Sequence, residues 1–176
     1  MNQLLRADNK GTSLYILNKN NYDNWLSKQS QQNQRWLANT NYKGEGLALM
    51  PNSQGELSLA LFVVEDATHY FSCGELIKLL PPGQYVLQAE QEHQQSICFS
   101  WLMGAYKFDR YLTNDNSQPL PCLAIKDQTI VDSAIKHAEA TALVRDLVNT
   151  PAADMMPINL GDCAQDLAKK YQGNVK

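Results

Sequence analysis

The sequence has little charge and no long apolar run. Charged residues make up 19% of its 176 residues, the net charge is −3, and the largest basic cluster is the pair Lys169-Lys170. The longest uncharged apolar stretch, residues 97–106, is about half of the roughly 20 residues that a membrane span requires. The first residues lack the basic and apolar regions of a secretory signal. We therefore expect a soluble, cytoplasmic protein that binds neither membranes nor, through a basic surface, nucleic acid.

Cysteine is also sparse, and its spacing argues against a disulfide framework. The four cysteines, Cys73, Cys98, Cys122 and Cys163, lie far apart and form no CxxC pair. Such usage is typical of free thiols in a reducing compartment. Cys98 falls in an apolar segment, whereas a reactive thiol needs an accessible, electropositive setting. We expect Cys98 to be a core residue.

The known spacings of catalytic, phosphate-binding and metal-binding motifs are missing. His69, His93 and His137 stand 24 and 44 positions apart, with no HExxH, so we expect exposed or capping histidines rather than metal ligands. The segment Gly44-Glu45-Gly46 lacks the third glycine of a dinucleotide fingerprint, and neither a P-loop nor a GxSxG motif occurs. The sequence therefore predicts no catalytic, cofactor-binding or metal-binding residue in this chain.

Hydrophobic periodicity predicts alternating strands and helices up to residue 126. Between Tyr22 and Tyr42 it predicts two short helices or one interrupted helix, with Trp25 and Trp36 as packing anchors. Gly104 is expected to end a helix. Alternation of this kind favours an α/β fold. The predicted strands span residues 13–17, 46–50, 57–64, 84–87 and 120–125, the second and third forming a hairpin, and the predicted helices span residues 68–80 and 91–103.

The last third of the sequence is predominantly helical. Asp127 is suited to cap a helix that runs to Val148, with Ala134, Ala138 and Ala142 on one face. Thr150-Pro151 breaks this helix, and Pro157 fits the first turn of another. The chain then stops where a strand would plausibly begin, so we expect a truncated end. A tail without its packing partner is expected to fray, fold back or pair with another copy through the alanine face.

Three segments carry a family resemblance. Residues 142–157, ALVRDLVNTPAADMMP, resemble the segment that opens the catalytic domain of the leucyl aminopeptidase (M17, cytosol aminopeptidase) family, whose pattern is close to RDL[VI]NTPANDMxP. The chain departs from that pattern at Ala153, where asparagine is usual. Residues 80–85, LPPGQY, and 101–111, WLMGAYKFDRY, resemble the N-terminal domain of bacterial members.

The resemblance implies a parent protein whose chemistry lies outside this chain. Members of the family are exopeptidases that remove N-terminal amino acids from peptides. They use two divalent metals, manganese or zinc, held by a lysine, three aspartates and a glutamate in motifs resembling VGKG, FDTGG, MKxDM and NTDAEGR. None of these strings occurs here. The resemblance thus implies a chain that is inactive alone and carries no family metal ligand or catalytic residue, from a parent that is expected to be a homohexamer acting on peptides.

The resemblance also implies the fold and the domain boundaries. The N-terminal domain of the family is similar to a macro domain, a mixed sheet flanked by helices. We therefore expect a macro-domain-like α/β fold in residues 1–126, a linker helix in 127–148, and the truncated start of the peptidase domain in 149–176.

A second class of function is a stand-alone binding module. A macro-like fold on its own would bind ADP-ribose or another nucleotide, and some family members are reported to bind DNA. Macro domains use glycine-rich phosphate loops and an Asn-Ala-Ala-Asn-like segment, and the nine scattered glycines here form no such loop. The net charge of −3 opposes binding to DNA. The module is therefore the less favoured hypothesis.

Overall fold

The computed structural model of the chain describes residues 3–112 and 119–175. These residues form one mixed sheet with helices on both faces, followed by two further helices. Most of the polar segment between Tyr111 and the predicted strand at residue 120 lies outside the described residues. The strands are β1 (Leu5–Ala7), β2 (Thr12–Asn18), β3 (Gly46–Pro51), β4 (Leu57–Val64), β5 (Gln84–Gln88) and β6 (Cys122–Ile125). The helices are α1 (Tyr22–Ser27), α2 (Gln31–Asn39), α3 (Leu76–Leu79), α4 (Gln91–Gly104), α5 (Gln128–Asn149) and α6 (Pro157–Tyr171).

The six strands are arranged in the order β1-β6-β5-β2-β4-β3. Across the sheet, the five strands β1, β6, β5, β2 and β4 run parallel to one another. Strand β3 pairs with β4 as an antiparallel hairpin at one edge. The hairpin is the one that the sequence predicts. Because parallel strands need crossover connections, helices lie between most of the strands along the chain. The expected α/β class is confirmed.

Strand β4 shows why the sheet forms a two-sided core. Its residues 60–63 are at most 6% exposed, as expected for a strand that is covered on both faces. Successive side chains point to opposite faces, so Ala60 and Phe62 join one apolar cluster, while Leu61 and Val63 join the other. Helices α3, α4 and α5 contribute to the first cluster, and α1 and α2 contribute to the second.

The helix that was predicted over residues 68–80 is wrong in length, because only Leu76–Leu79 is α-helical. The preceding residues form successive turns, in which polar side chains accept hydrogen bonds from backbone N–H groups. Asp66 accepts hydrogen bonds from the backbone and hydroxyl of Thr68, and the backbone N–H of Cys73 donates to Ser100 Oγ at 3.0 Å. Such side-chain partners compete with helical hydrogen bonds.

Glycine at position 104 is required for a reason that the sequence does not reveal. Gly104 is the last residue of α4, so the predicted helix end is correct to within one residue. A Cβ atom there would lie 1.7 Å from the carbonyl oxygen of Gly74. Gly104 therefore lets the end of α4 approach the turn before α3 at backbone distance.

Two strands differ from the sequence prediction. Strand β1 was not predicted, because three residues give no periodic pattern, yet Leu5 is 1% exposed and β1 pairs with β6. Strand β6 begins at Cys122 rather than at residue 120. Pro119 and Pro121 explain this delay, since proline has no N–H to donate to a neighbouring strand.

Helices α5 and α6 agree with the predicted helical spans, and Pro157 opens α6. The alanine face of α5 packs inward, because Ala134 and Ala138 are both 0% exposed. The expectation that this face would be free for pairing between copies is therefore wrong. The predicted boundaries after residues 126 and 148 remain a hypothesis.

Candidate functional site

Two of the segments that carry the family resemblance meet in space. The loop after α4 lies against the C-terminal end of α5, and Tyr106 is the first link. Its hydroxyl donates to Asp146 Oδ1 at 2.7 Å and accepts from Asn149 Nδ2 at 3.2 Å. The guanidinium of Arg145 lies over the Tyr106 ring, 5.1 Å from its centre, a distance typical of a cation–π contact.

A second link holds the chain after the Pro151 break. The Tyr111 hydroxyl donates to Asp154 Oδ2 at 2.6 Å. Arg110 Nη1 donates to Thr150 Oγ1 at 3.4 Å, and Thr150 Oγ1 donates to the backbone oxygen of Asp146 at 2.6 Å. Thr150 is only 7% exposed. We call residues 106–111 together with residues 145–154 the junction.

Both junction tyrosines remain hydrogen-bond donors at neutral pH. Desolvation, followed by the bond to the Asp146 carboxylate, raises the pKa of Tyr106. The bond to the Asp154 carboxylate is the largest cause that raises the pKa of Tyr111. Because each phenol donates to a carboxylate, the junction holds backbone segments in place. The two tyrosine hydroxyls and the carboxylates of Asp146 and Asp154 are all engaged, so none of these four groups is a free acid or base.

Beyond the junction, α6 has an unpacked apolar surface. No described residue of α6 is buried, and Ile158 and Leu160 are 65% and 54% exposed. A groove of about 420 Å³ runs between α6 and α5, with Leu143, Met155 and Leu167 in its walls. The junction therefore lies directly before a helix whose apolar side chains are largely exposed at its start.

A polar crevice lies at the carboxyl end of the parallel strands. The connection after β2 crosses one face of the sheet and that after β4 crosses the other, which creates a switch point where α/β sheets commonly bind ligands. Lys19 lies there, with its Nζ 2.8 Å from Glu65 Oε1 and 3.7 Å from Glu45 Oε2. The hydrogen bond to Glu65 and the two negative charges raise the pKa of Lys19. The crevice measures about 380 Å³.

The histidines divide into two kinds. His69 and His137 are exposed, as expected, and His69 Nδ1 accepts the backbone N–H of Phe71 at 3.3 Å. His93 is 4% exposed, so the expectation of an exposed or capping side chain is wrong for it. The search for HExxH and CxxC spacings missed this residue, although Glu90-Gln91-Glu92-His93 is visible as a local acidic and imidazole pattern.

The cysteines have no disulfide partners, and three of them are buried. Cys98 is a core residue, as predicted, at 0% exposure. Burial raises the pKa of both Cys73 and Cys98 to about 12, so neither thiol ionises at neutral pH. Cys122 Sγ accepts a hydrogen bond from Arg6 Nε at 3.1 Å.

The metal pair of the resembled family does not fit the described residues. Across residues 3–112 and 119–175, one group of histidine, cysteine or carboxylate side chains is close enough for shared coordination, namely Glu90, Glu92 and His93. This group contains no aspartate, whereas the family set requires three. In addition, none of the described helices combines the length and apolarity that a bilayer crossing requires.

Known proteins give two similarities that extend beyond fold. The "Probable cytosol aminopeptidase" of Persephonella marina is 29% identical over 104 residues, which cover 54% of this chain and 21% of that protein. The crystal structure of cytosol aminopeptidase from Coxiella burnetii matches 98% of this chain with a TM-score of 0.84 and 27% identity. The chain spans 38% of that structure.

A third similarity concerns the fold alone. The bottromycin maturation enzyme BotP matches 92% of this chain and 38% of its own, with a TM-score of 0.64 and 16% identity. These similarities give no support to the stand-alone nucleotide-binding or DNA-binding module, and that alternative is set aside.

The family model of the M17 aminopeptidase N-terminal domain matches residues 12–125. This span runs from the start of β2 to the end of β6, so it includes most of the sheet and helices α1 to α4. Residues 145–154 of the junction and α6 follow it in the chain, where the sequence resembles the start of the peptidase domain. The chain belongs to the M17 aminopeptidase family and contains the N-terminal domain of a leucyl or cytosol aminopeptidase.

Proposed function

We propose that this chain is the non-catalytic part of a metal-dependent aminopeptidase and that it positions the peptidase domain. The observation that supports this most directly is the junction, where tyrosines of the sheet domain hold the residues around the Pro151 break. Helix α6 begins three residues after Asp154. Fixing Asp146 and Asp154 therefore fixes the direction in which α6 leaves the sheet domain.

The exposed apolar face of α6 supports the same proposal. Met156, Ile158 and Leu160 are each more than half exposed at the start of α6. Contiguous apolar exposure of this kind marks an interaction surface more often than a solvent-facing helix. The proposed partner is the peptidase domain of the same protein, with boundaries after residues 126 and 148 as the sequence indicates.

The properties of the whole protein follow from the family resemblance. Its substrate is a peptide, from which it hydrolyses the N-terminal amino acid. Two divalent ions, manganese or zinc, supply the activated water and polarise the scissile carbonyl when bound in the peptidase domain. The protein acts in the cytoplasm as a homohexamer that is organised mainly by its peptidase domains.

An activity assay tests the division of labour. The chain of residues 1–176 is incubated with a leucine anilide and Mn²⁺, Zn²⁺ or Mg²⁺, beside the whole protein as a positive control. We expect no turnover above background from the chain, because the family ligand motifs lie outside it. Turnover by a preparation that is free of host peptidases would contradict the proposal.

Hydrogen exchange tests the positioning role. Tyr106→Phe and Tyr111→Phe remove the hydroxyls that donate to Asp146 and Asp154 while keeping the rings. We expect faster amide exchange across residues 149–160 in both variants. Tyr70→Phe is the matched control, because Tyr70 is 54% exposed and contacts the Phe99 ring outside the junction. Unchanged exchange in both junction variants, or an equal change in the control, would show that the junction does not position α6.

A further inference from the structure

Helix α5 has two apolar faces, which belong to different halves of the helix. In the first half, Val131, Ala134 and Ala138 are at most 2% exposed and join the core of the sheet domain. Among the described residues of α5, none after Ala138 is buried. The second half nevertheless has an apolar face of its own, in which Val144 and Val148 are 58% and 78% exposed.

The second apolar face lies on a different side of the helix from the first. Ala140, Val144 and Val148 are spaced four residues apart, so they line up along one side. At about 100° per residue, this side lies roughly a third of a turn from the side that holds Ala134 and Ala138. The same helix therefore packs on the sheet domain with one face and leaves the other face exposed.

The exposed face continues into an aromatic hollow. A shallow hollow of about 510 Å³ lies beside the middle of α5 and is lined by Tyr70, Phe71, Phe99, His137, Ala140 and Thr141. Tyr70 and Phe71 are 54% and 58% exposed. Because Ala140 belongs both to the hollow and to the exposed face of α5, the two form one surface. We call Tyr70, Phe71, Ala140, Val144 and Val148 together the outer face.

The composition of the outer face indicates what kind of partner it fits. None of its residues carries a charge, and Glu139 lies on the far side of α5. A surface without cations is unsuited to nucleic acid, whose binding depends on contacts to phosphate. The centres of protein–protein interfaces, in contrast, are poor in charge and rich in aromatic residues. The outer face therefore fits the apolar surface of another protein domain.

The position of the outer face on α5 favours one such domain. Val148 is the last apolar residue of α5 and stands two positions before Thr150, where the chain turns towards α6. This chain spans only 38% of the cytosol aminopeptidase structure that it matches, so more than half of that relative has no counterpart here. A domain that is tethered at the end of α5 is held beside the outer face at a high effective concentration, an advantage that a separate partner lacks.

We propose that the peptidase domain of the whole protein packs on the outer face and covers Tyr70 and Phe71 as well as the second half of α5. This inference rests on the proposed function and extends the contact from the start of α6 to the sheet domain itself. The junction holds the chain at one end of α5 only. A second contact along α5 also fixes the rotation of the peptidase domain about that helix.

Hydroxyl-radical footprinting tests whether the outer face is covered. The chain of residues 1–176 and the whole protein are labelled in parallel, and mass spectrometry measures the modification of each side chain. Covering takes half-exposed rings to the burial of core aromatics, so we expect Tyr70 and Phe71 to lose about fivefold or more of their labelling in the whole protein. Trp36 on α2 is the matched control, because it is 40% exposed outside the outer face, and its labelling should not change.

The same data separate this inference from the proposed function. Ile158 and Leu160 of α6 report on the contact that the proposed function requires. If they lose labelling in the whole protein while Tyr70 and Phe71 do not, the outer face is not a docking surface, and the proposed function stands. If neither pair loses labelling, both proposals are overturned.

Photo-cross-linking identifies the domain that covers the face. The whole protein is made with p-benzoylphenylalanine in place of Val144 and, as a matched control, in place of Glu139, which is exposed on α5 outside the outer face. We expect position 144 to cross-link to peptides of the peptidase domain in greater yield than position 139. Cross-links from position 144 to the sheet domain of a second copy, or a yield no higher than at position 139, would overturn the proposal.

Discussion

The sheet and helix α6 use the same apolar residue types with opposite results. In β4, residues 60–63 are at most 6% exposed, because helices cover both faces of the sheet. In α6, Ile158, Leu160 and Leu167 are 65%, 54% and 38% exposed. Helix α5 joins the two regions, and its burial changes along its length: Val131 is 2% exposed, whereas Val148 is 78% exposed.

The difference shows that two kinds of information shape this chain. Helix α6 is determined locally: Pro157 fits its first turn, the Met156 N–H donates to Asn159 Oδ1 at 3.0 Å, and Gln172 ends it in the left-handed conformation. Local signals alone leave a helix of this length marginal in water. The sheet domain is stabilised by contacts between residues that are distant in sequence. Perturbations should therefore affect the two regions differently.

The largest difference is expected for the same truncation in two helices. Leu102 of α4 is 0% exposed and Leu160 of α6 is 54% exposed. Leu102→Ala removes buried methyl groups and leaves a cavity, so we expect it to lower the free energy of unfolding by about 2–5 kcal/mol. Leu160→Ala is expected to change it by less than about 0.5 kcal/mol. Urea unfolding followed by tryptophan fluorescence measures both, and equal losses would show that α6 is packed as part of the core.

Glycine-to-alanine substitutions should have opposite signs in the two regions. At Gly104, the added Cβ would lie 1.7 Å from the Gly74 oxygen, so we expect a loss of about 1–3 kcal/mol from overpacking. At Gly161 in α6, no atom lies within 4 Å of an added Cβ, and alanine favours the helix by up to about 1 kcal/mol. Thermal unfolding of the two variants tests this, and a stabilised Gly104→Ala chain would show that α4 and the Gly74 turn separate readily.

Alkaline pH should destabilise the sheet domain through its buried thiols. In the unfolded chain a cysteine has a pKa of about 8.5, whereas burial raises the pKa of Cys73 and Cys98 to about 12. Their contribution is fully present below the unfolded pKa and is lost as pH rises towards the folded pKa. We expect a loss on the order of 1 kcal/mol per pH unit for each thiol above pH about 8.5.

The double variant Cys73→Ala/Cys98→Ala is the control for this pH dependence. We expect the free energy of unfolding of this variant to stay nearly constant from about pH 8.5, the ordinary pKa of cysteine, to about pH 10. The wild-type chain should lose stability over the same range. Alkylation adds a comparison of the two regions, because Cys163 in α6 is only partly covered. We expect Cys163 to react first, and preferential labelling of Cys98 would contradict the burial argument.

Much of the fold was predictable, because its signals are local. The hairpin of β3 and β4, the break at Thr150-Pro151 and the start of α6 at Pro157 follow from turn residues, proline geometry and apolar alternation. The errors lie where distant contacts decide. Strand β1 exists because β6 pairs with it, and the turns before α3 exist because Ser100 binds the backbone of Cys73.

The candidate sites were less predictable for the same reason. Only the family resemblance drew attention to the junction segments. It marked residues 101–111 and 142–157 but did not indicate that they are in contact. Hydrogen bonds such as that of Tyr106 to Asp146 join residues 40 positions apart, beyond the reach of periodicity. The burial of His93 depends on the packing of α4 against the sheet, which no local pattern around Glu90 and Glu92 indicates.

The smallest effect that we predict is an acid sensitivity confined to the start of α5. The Asp127 side chain accepts the backbone N–H of Thr129 at 2.8 Å, and hydrogen bonds from Thr129 lower the pKa of this carboxyl. A lowered pKa gives stability that is present above the unfolded value of about 3.9 and is lost as pH falls through the folded value. Asparagine caps helices about as well and does not titrate. Asp127→Asn should therefore match the wild-type chain at pH 7 and exceed its stability in urea unfolding at acidic pH. The amide signals at the start of α6, where the non-titrating Asn159 side chain accepts the Met156 N–H, should show no such difference. Parallel acid curves for the two chains would show that the Asp127 cap contributes nothing to folding.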